Sequence, residues 1–281
     1  MAKQSRKTSQ SRRRRRRARR SGVPAVVVLL CVLVAAVAIV TAMTLFFKVQ
    51  HFTLTGTTRY SVETLQSASG LQVGDNLILF DKFEVIDRLF DACPYLDTVR
   101  LRRRYPDTLE FMVTDCVAVA ELEDAPGEMP DPEDESRTLR VGGTGRWLVD
   151  RQGKLLEQRS GDGTSGLTVV TGVTLLQPEP GQKVNFLQED TQKPLFLLLN
   201  TAEDDGILQD IGEMDASQPY DIRFTFRERF QVKLGSTADL EKKLRCLLDI
   251  TENKLGSGVR GTVDVSDIAD TQTARFLPMN Q

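Results

Sequence analysis

The sequence predicts an α+β protein with a single N-terminal transmembrane helix and two folded units beyond it. Three observations predict this. Residues 23–47 form an apolar run, with no charged residue between Arg20 and Lys48. The segment that follows gives strand and helix signals in the order β-α-α-β-β. A later set of alternating runs, led by IRFTF and FQVKL, predicts a mostly antiparallel α+β domain with one covered face.

At about 1.5 Å per residue, residues 23–47 make a helix of roughly 37 Å, against a bilayer core of about 30 Å. The run has no wet face, which a soluble core helix needs. Pro24 sits at its entrance, where a missing backbone N–H costs nothing. A cleaved signal sequence is the rival reading, but its apolar part is shorter and ends in small residues. Here the run ends in LFFK, and bulky Leu30 precedes Cys31 where a lipoprotein site wants a small residue.

Arg12, Arg13, Arg14, Arg15, Arg16, Arg17, Arg19 and Arg20 precede the run. Positive charge beside a span stays in the cytoplasm, so these arginines predict a cytoplasmic amino end and an extracytoplasmic remainder. They are also attracted to an anionic leaflet. No aromatic residue is interleaved with them, and nucleic-acid binding is not expected. Of the 37 Lys and Arg residues, eleven fall within residues 1–20, whereas all 39 Asp and Glu lie beyond. The outer part is therefore acidic. Its three cysteines, Cys93, Cys116 and Cys246, are odd in number and lack CxxC spacing, so buried thiols are expected rather than a disulfide scaffold.

The elements follow in order. VQHFTLTG reads as a strand, and Ser61 caps a short helix that Gly70 stops. Asp81 with Glu84 resembles a capping box. It opens a helix expected to bury Phe83, Ile86, Leu89 and Phe90. Val99, Leu101 and Arg103, then Leu109, Phe111 and Val113, alternate across a turn at Tyr105 to Asp107. The acidic stretch EDAPGEMPDPEDESR reads as a mobile surface loop, without the DxDxDG pattern of a calcium site. WLVDRQGKLLE is strand, turn, strand, and LTVVTGVTL is a further strand. A helix is expected from Pro194 to Thr201. Ser236 and Asp239 cap another that carries Leu240, Leu244, Leu247 and Leu248. GTVDV and a short ARFLP close the chain.

GLQVGDNLILFD at 70–81 and CPYLDTVRLRRRYPDTLEFMV at 93–113 resemble the POTRA domain of the bacterial cell-division family FtsQ/DivIB. WLVDRQGKLLE, PGQKV, the long stretch at 220–250 and GTVDVSD resemble the β domain of the same family, in order. The family leaves its last POTRA strand through an acidic-Arg-x-Pro step. Here Asp115, Cys116, Val117 and Ala118 stand in that place, so that Arg has no counterpart. The expected division is a basic cytoplasmic tail at 1–22, a transmembrane helix at 23–47, a POTRA domain at 48–122, an acidic loop insertion at 123–145 and a β domain at 146–281.

The chain offers little catalytic material. It has one histidine, His51. VGGTG and GDGTSG precede no helix with Lys-Ser/Thr, and the acidic run Glu203, Asp204 and Asp205 reads as a solvated turn. No cofactor and no metal are expected. The resemblance implies a non-catalytic scaffold that joins early and late septal proteins and helps control septal peptidoglycan synthesis. It implies as partners the ectodomains of FtsB (DivIC) and FtsL, other septal membrane proteins and membrane lipids. It implies single-pass residence in the bacterial cell membrane, concentrated at the septum. The implied contact is a sheet edge at Val263 and Val265, with Arg275 and Phe276 nearby in the tail. A membrane-anchored wall enzyme or sensor of another family is the competing reading.

Overall fold

The computed structural model describes residues 25–131, 137–160, 166–256, 258–268 and 274–279. The basic tract Arg12–Arg20, the entrance residues Val23 and Pro24, residues 132–136 of the acidic stretch and most of the GDGTSG loop lie outside the described residues.

Helix α1, Ala25–Phe46, is 22 residues long and buries none of them against the protein. It is long and apolar enough to cross a membrane. Its polar side chains close on its own backbone: Thr41 Oγ1 donates to Val37 O at 2.8 Å and Thr44 Oγ1 to Thr41 O at 2.9 Å. A hydroxyl in lipid needs this kind of internal partner.

The first unit has the expected order: β1 (His51–Thr57), α2 (Val62–Ser69), α3 (Lys82–Ala92), β2 (Leu96–Arg104) and β3 (Thr108–Asp115). Its three strands lie in the order β1-β3-β2, with β3 parallel to β1 and antiparallel to β2. Gly56 at φ 118° permits the close approach of β1 to β3, because a Cβ there would meet Val113 O at 1.9 Å. Ser61 Oγ accepts from Thr64 N and Asp81 Oδ1 from Phe83 N, so both helices start on side-chain caps. Glu84 does not complete the capping box; it pairs with Arg88. Phe83 is 65% exposed rather than buried, because the inward face of α3 runs through Val85 and Leu89. Those two pack with Leu65, Leu77, Leu109 and Phe111.

A nine-stranded sheet organises the second unit. Its strands are β4 (Ala118–Asp124), β7 (Gly145–Asp150), β8 (Leu155–Arg159), β9 (Thr168–Val173), β10 (Ile211–Asp215), β11 (Ile222–Phe226), β12 (Phe230–Gly235), β13 (Gly261–Asp264) and β14 (Arg275–Pro278). They run β14-β13-β12-β11-β10-β9-β4-β7-β8, mostly antiparallel. Helices α4 (Glu189–Asp204) and α5 (Leu240–Asp249) supply Leu195, Leu198, Leu244 and Leu247 to the core, beside Phe224, Phe226 and Phe230. Lys243 of α5 is 1% exposed. Its ammonium donates to Leu234 O at 3.0 Å and Ser236 O at 2.8 Å, and burial lowers its pKa.

Several expectations change. The boundary expected at 122 falls inside β4, which is hydrogen-bonded into the second sheet; the first sheet ends at Asp115. The acidic stretch is not simply a loop, because β5 (Gly127–Pro130) pairs with β6 (Thr138–Val141) as a hairpin. Helix α4 starts before Pro194, at Glu189. Its first turn is tightened by a Thr191 N–H to Gln188 O bond at 3.0 Å, and Pro194 follows that loose start. Glu203 and Asp204 end this helix and pair with Arg151 at 3.4 and 2.9 Å, rather than forming a free turn. Asp239 precedes α5 without a side-chain cap and pairs instead with Lys242.

The two units pack against each other through Tyr95, Leu148 and Leu156. The Arg59 guanidinium lies 3.3 Å from the Tyr95 ring centroid. Lys154 Nζ donates to Leu96 O at 2.5 Å. Cys116, at the joint, donates to Tyr95 O at 3.1 Å. Burial pushes its thiol up to about 11, with Asp150 adding to the rise and Lys154 opposing it. Such a thiol stays protonated and is a poor nucleophile. All four cysteines are free.

Candidate functional site

The open carboxyl-side edge of the large sheet is β14, not β13. The chain supplies its own strand on β13, with Thr262 opposite Leu277 and Val263 opposite Phe276. Gly261 makes room for it: a Cβ there would meet Leu277 O at 2.4 Å and the Phe276 ring at 2.7 Å. The Phe276 ring packs edge-on against Phe230 at 6.5 Å, which fastens the strand to the core.

Hydrogen bonding sets which groups of β14 face outward. Met279 N donates to Arg260 O at 3.1 Å, whereas Gly261 N donates to Arg229 O and Val265 N to Lys233 O, on the β12 side. In an antiparallel ladder the direction alternates with each residue. Residues 275, 277 and 279 therefore bond inward to β13. Phe276 turns its N–H and C=O to the open edge, and Pro278 turns a C=O there but has no N–H to offer. Leu277 is 64% exposed and Met279 60%, two residues apart on one face. This edge is short and lightly guarded by Pro278 and Arg275, and it presents apolar side chains beside backbone groups that no other described residue pairs.

The expected site residues divide. Val263 and Val265 are fully buried and belong to the core behind the edge. Phe276 is half-buried on Phe230, and Arg275 is exposed. Arg275 and Lys233 favour the Asp264 carboxylate. Burial alone would raise that carboxyl, but bonds from Ser266 Oγ at 2.6 Å and Ser266 N at 3.0 Å hold it below its usual range. The ion pair and the turn brace the end of β13. Leu277, Met279 and Gly261 were not expected as site residues. The only signal for Leu277 and Met279 is the alternation in RFLPM.

Elsewhere, His51 lies exposed on β1. Among the described residues, no three of His, Cys, Asp or Glu come together to hold a metal ion. A groove of about 1410 Å³ runs between the β5–β6 hairpin and the start of α4, lined by Met129, Leu139, Phe186, Phe196 and Tyr220 among others. A smaller cavity of about 300 Å³ lies near Ala118, Leu167 and Leu208.

Comparison with known proteins places these units. Residues 47–114 match the family model described as POTRA domain, FtsQ-type. Residues 139–267 match the model for cell division protein FtsQ/DivIB, C-terminal, and together the two cover more than half of the chain. The second match stops before β14. A curated relative, the cell division protein FtsQ of Geobacter sp. (strain M21), is 27% identical over 190 residues, which cover 66% of this chain. The chain spans 61% of that relative's length.

Proposed function

This chain belongs to the FtsQ/DivIB family of cell-division proteins, and we propose that within it the chain is a non-catalytic, bitopic scaffold. It joins early and late septal proteins and helps control septal peptidoglycan synthesis through protein contacts alone. Its amino end is cytoplasmic, its two folded units are extracytoplasmic, and it concentrates at the septum. The partners are the ectodomains of FtsB (DivIC) and FtsL.

The observation that carries this reading is the β14 edge. Strand addition uses backbone groups for affinity and flanking side chains for selectivity. Phe276 N–H and C=O, Pro278 C=O and the exposed pair Leu277 and Met279 are what such a partner strand needs. Each backbone bond contributes about 0.5–1.5 kcal/mol net, so a short strand needs the apolar contacts as well. Val263 and Val265 act from behind, as the packing that keeps β13 in place for β14 to lie on.

The experiment compares Phe276→Ala with Phe276→Pro in the full chain reconstituted in nanodiscs. Both variants lose the ring contact with Phe230, but only Pro deletes the N–H turned to the edge while leaving the inward ladder intact. Binding of the FtsB–FtsL ectodomain pair is expected to fall roughly tenfold further in the Pro variant than in the Ala variant, about 1.4 kcal/mol. Equal binding by the two variants contradicts strand addition at β14.

A further inference from the structure

We propose that the end of the first unit nearest α1 is a lipid-docking face that lies on the outer leaflet through Leu79, Phe83 and Tyr105, with Lys48, Lys82 and Arg103 at the lipid phosphates. The inference rests on the proposed topology, with α1 crossing the membrane and the folded units outside, and is independent of any protein partner.

The geometry begins at the last turn of α1. Met43 O is one of the four terminal carbonyls that a helix cannot satisfy internally. Asn76 Nδ2 donates to it at 3.0 Å. Since a helix rises about 1.5 Å per residue, the loop carrying Asn76 reaches alongside the helix, roughly 4–5 Å below its end at Phe46. Leu77 N bonds to Phe47 O and Val49 N to Asp75 O, both at 2.8 Å. With Gly74 N to Val49 O, also at 2.8 Å, the loop is tied to the helix exit by four bonds, at the level where a spanning helix leaves the hydrocarbon.

Exposed apolar side chains stand on this loop, on the start of α3 that follows it and on the β2–β3 turn beside Phe47. Asn76 Oδ1 accepts from Ile78 N and Leu79 N and turns the loop; Leu79 is 71% exposed. Phe83, four residues on, opens α3 with its ring in solvent. Tyr105, 60% exposed on the β2–β3 turn, sits edge-on to Phe47 at 5.4 Å. The cations are arranged with them. Arg103 stacks 4.7 Å from Phe80 and donates to Phe80 O, and Lys82 Nζ lies 4.7 Å from the Phe83 ring. Of the nearby carboxylates, Asp75 accepts from Gln72 N, Asp81 from Phe83 N and Asp107 from Thr108 Oγ1, bonds that fix their positions and leave their charge, while Glu84 is paired with Arg88. A Tyr with apolar neighbours and long cationic side chains, next to the end of a span, has the composition of a membrane interface.

The test places a tryptophan probe in the full chain, with Trp147→Phe removing the native indole. Leu79→Trp and Tyr105→Trp are compared with Tyr220→Trp, an exposed position in the second unit, in nanodiscs whose acyl chains carry bromine. Leu79→Trp and Tyr105→Trp are exposed changes, and circular dichroism checks each fold. Blue-shifted emission, quenched by bromine at both positions, is the expected result, with the indoles about 5–10 Å into the headgroup boundary. Water-like, unquenched emission at both, matching Tyr220→Trp, overturns the proposal. Shielding that arises only when the FtsB–FtsL ectodomain pair is added gives the face to protein and overturns it equally.

Discussion

Val265→Asp unfolds the second unit instead of merely removing a contact. Val265 is fully buried beside β12, and its N–H bonds to Lys233 O at 3.0 Å. Losing the buried valine forfeits about 1.5–3 kcal/mol of transfer energy. The new carboxylate must either stay charged in an apolar site or raise its pKa by up to about 3–5 units, at 1.36 kcal/mol per unit. A loss of roughly 5 kcal/mol or more is a large part of the ~5–15 kcal/mol that holds an ordinary domain together. Urea unfolding followed by far-ultraviolet circular dichroism checks this, and a wild-type midpoint contradicts it. A failure of Val265→Asp to bind a partner therefore reports a lost domain, which makes Phe276 the residue at which recognition itself can be examined.

Asp124→Ala is expected to cost about 3–5 kcal/mol. The carboxylate is 4% exposed and accepts three bonds, from Leu175 N at 2.7 Å and from Thr144 N and Oγ1 at 2.9 and 2.6 Å. Thr144 Oγ1 in turn accepts from Trp147 Nε1 at 2.8 Å. One side chain thus ties the end of β4, the return of the β5–β6 hairpin and the segment after β9. Alanine orphans two backbone donors and a hydroxyl, and each buried unpaired donor costs about 1–3 kcal/mol. Asp124→Asn retains an acceptor and recovers part of the loss. The fluorescence of Trp147, the single tryptophan, reports both variants in urea titrations. Indistinguishable midpoints for Asp124→Ala and the wild type contradict the account.

Much of this fold is written locally in the chain. The caps at Ser61 and Asp81, the alternation of β2 and β3 and the β11–β12 hairpin all depend on neighbours within a few residues, and each was legible. What escaped depends on distant partners or on weak patterning. Strand β10 carries Gly212 and a register shift between Ile211 and Met214, so its alternation is broken. Strands β5 and β6 contain no buried residue, so no apolar pattern marks them. Pro194 reads locally as a helix start, yet α4 begins at Glu189 and carries it within. Phe83 has the right spacing for an inward face, but the helix is rotated toward Val85 and Leu89. The candidate site shows the same division. Phe276 and Arg275 were legible as tail residues near an edge. That they form the edge depends on a pairing with Gly261–Asp264 that local sequence does not encode.

The central claim is that β14 receives a partner strand, and hydrogen exchange reads it most directly. The full chain in nanodiscs is exchanged into deuterated buffer with and without the FtsB–FtsL ectodomain pair, and residues 274–279 are followed. The account expects the Phe276 amide, which faces the open edge, to slow sharply on binding. The inward amides of Leu277 and Met279 change less. Unchanged exchange at Phe276 in a saturated complex, with protection appearing elsewhere on the chain, contradicts it.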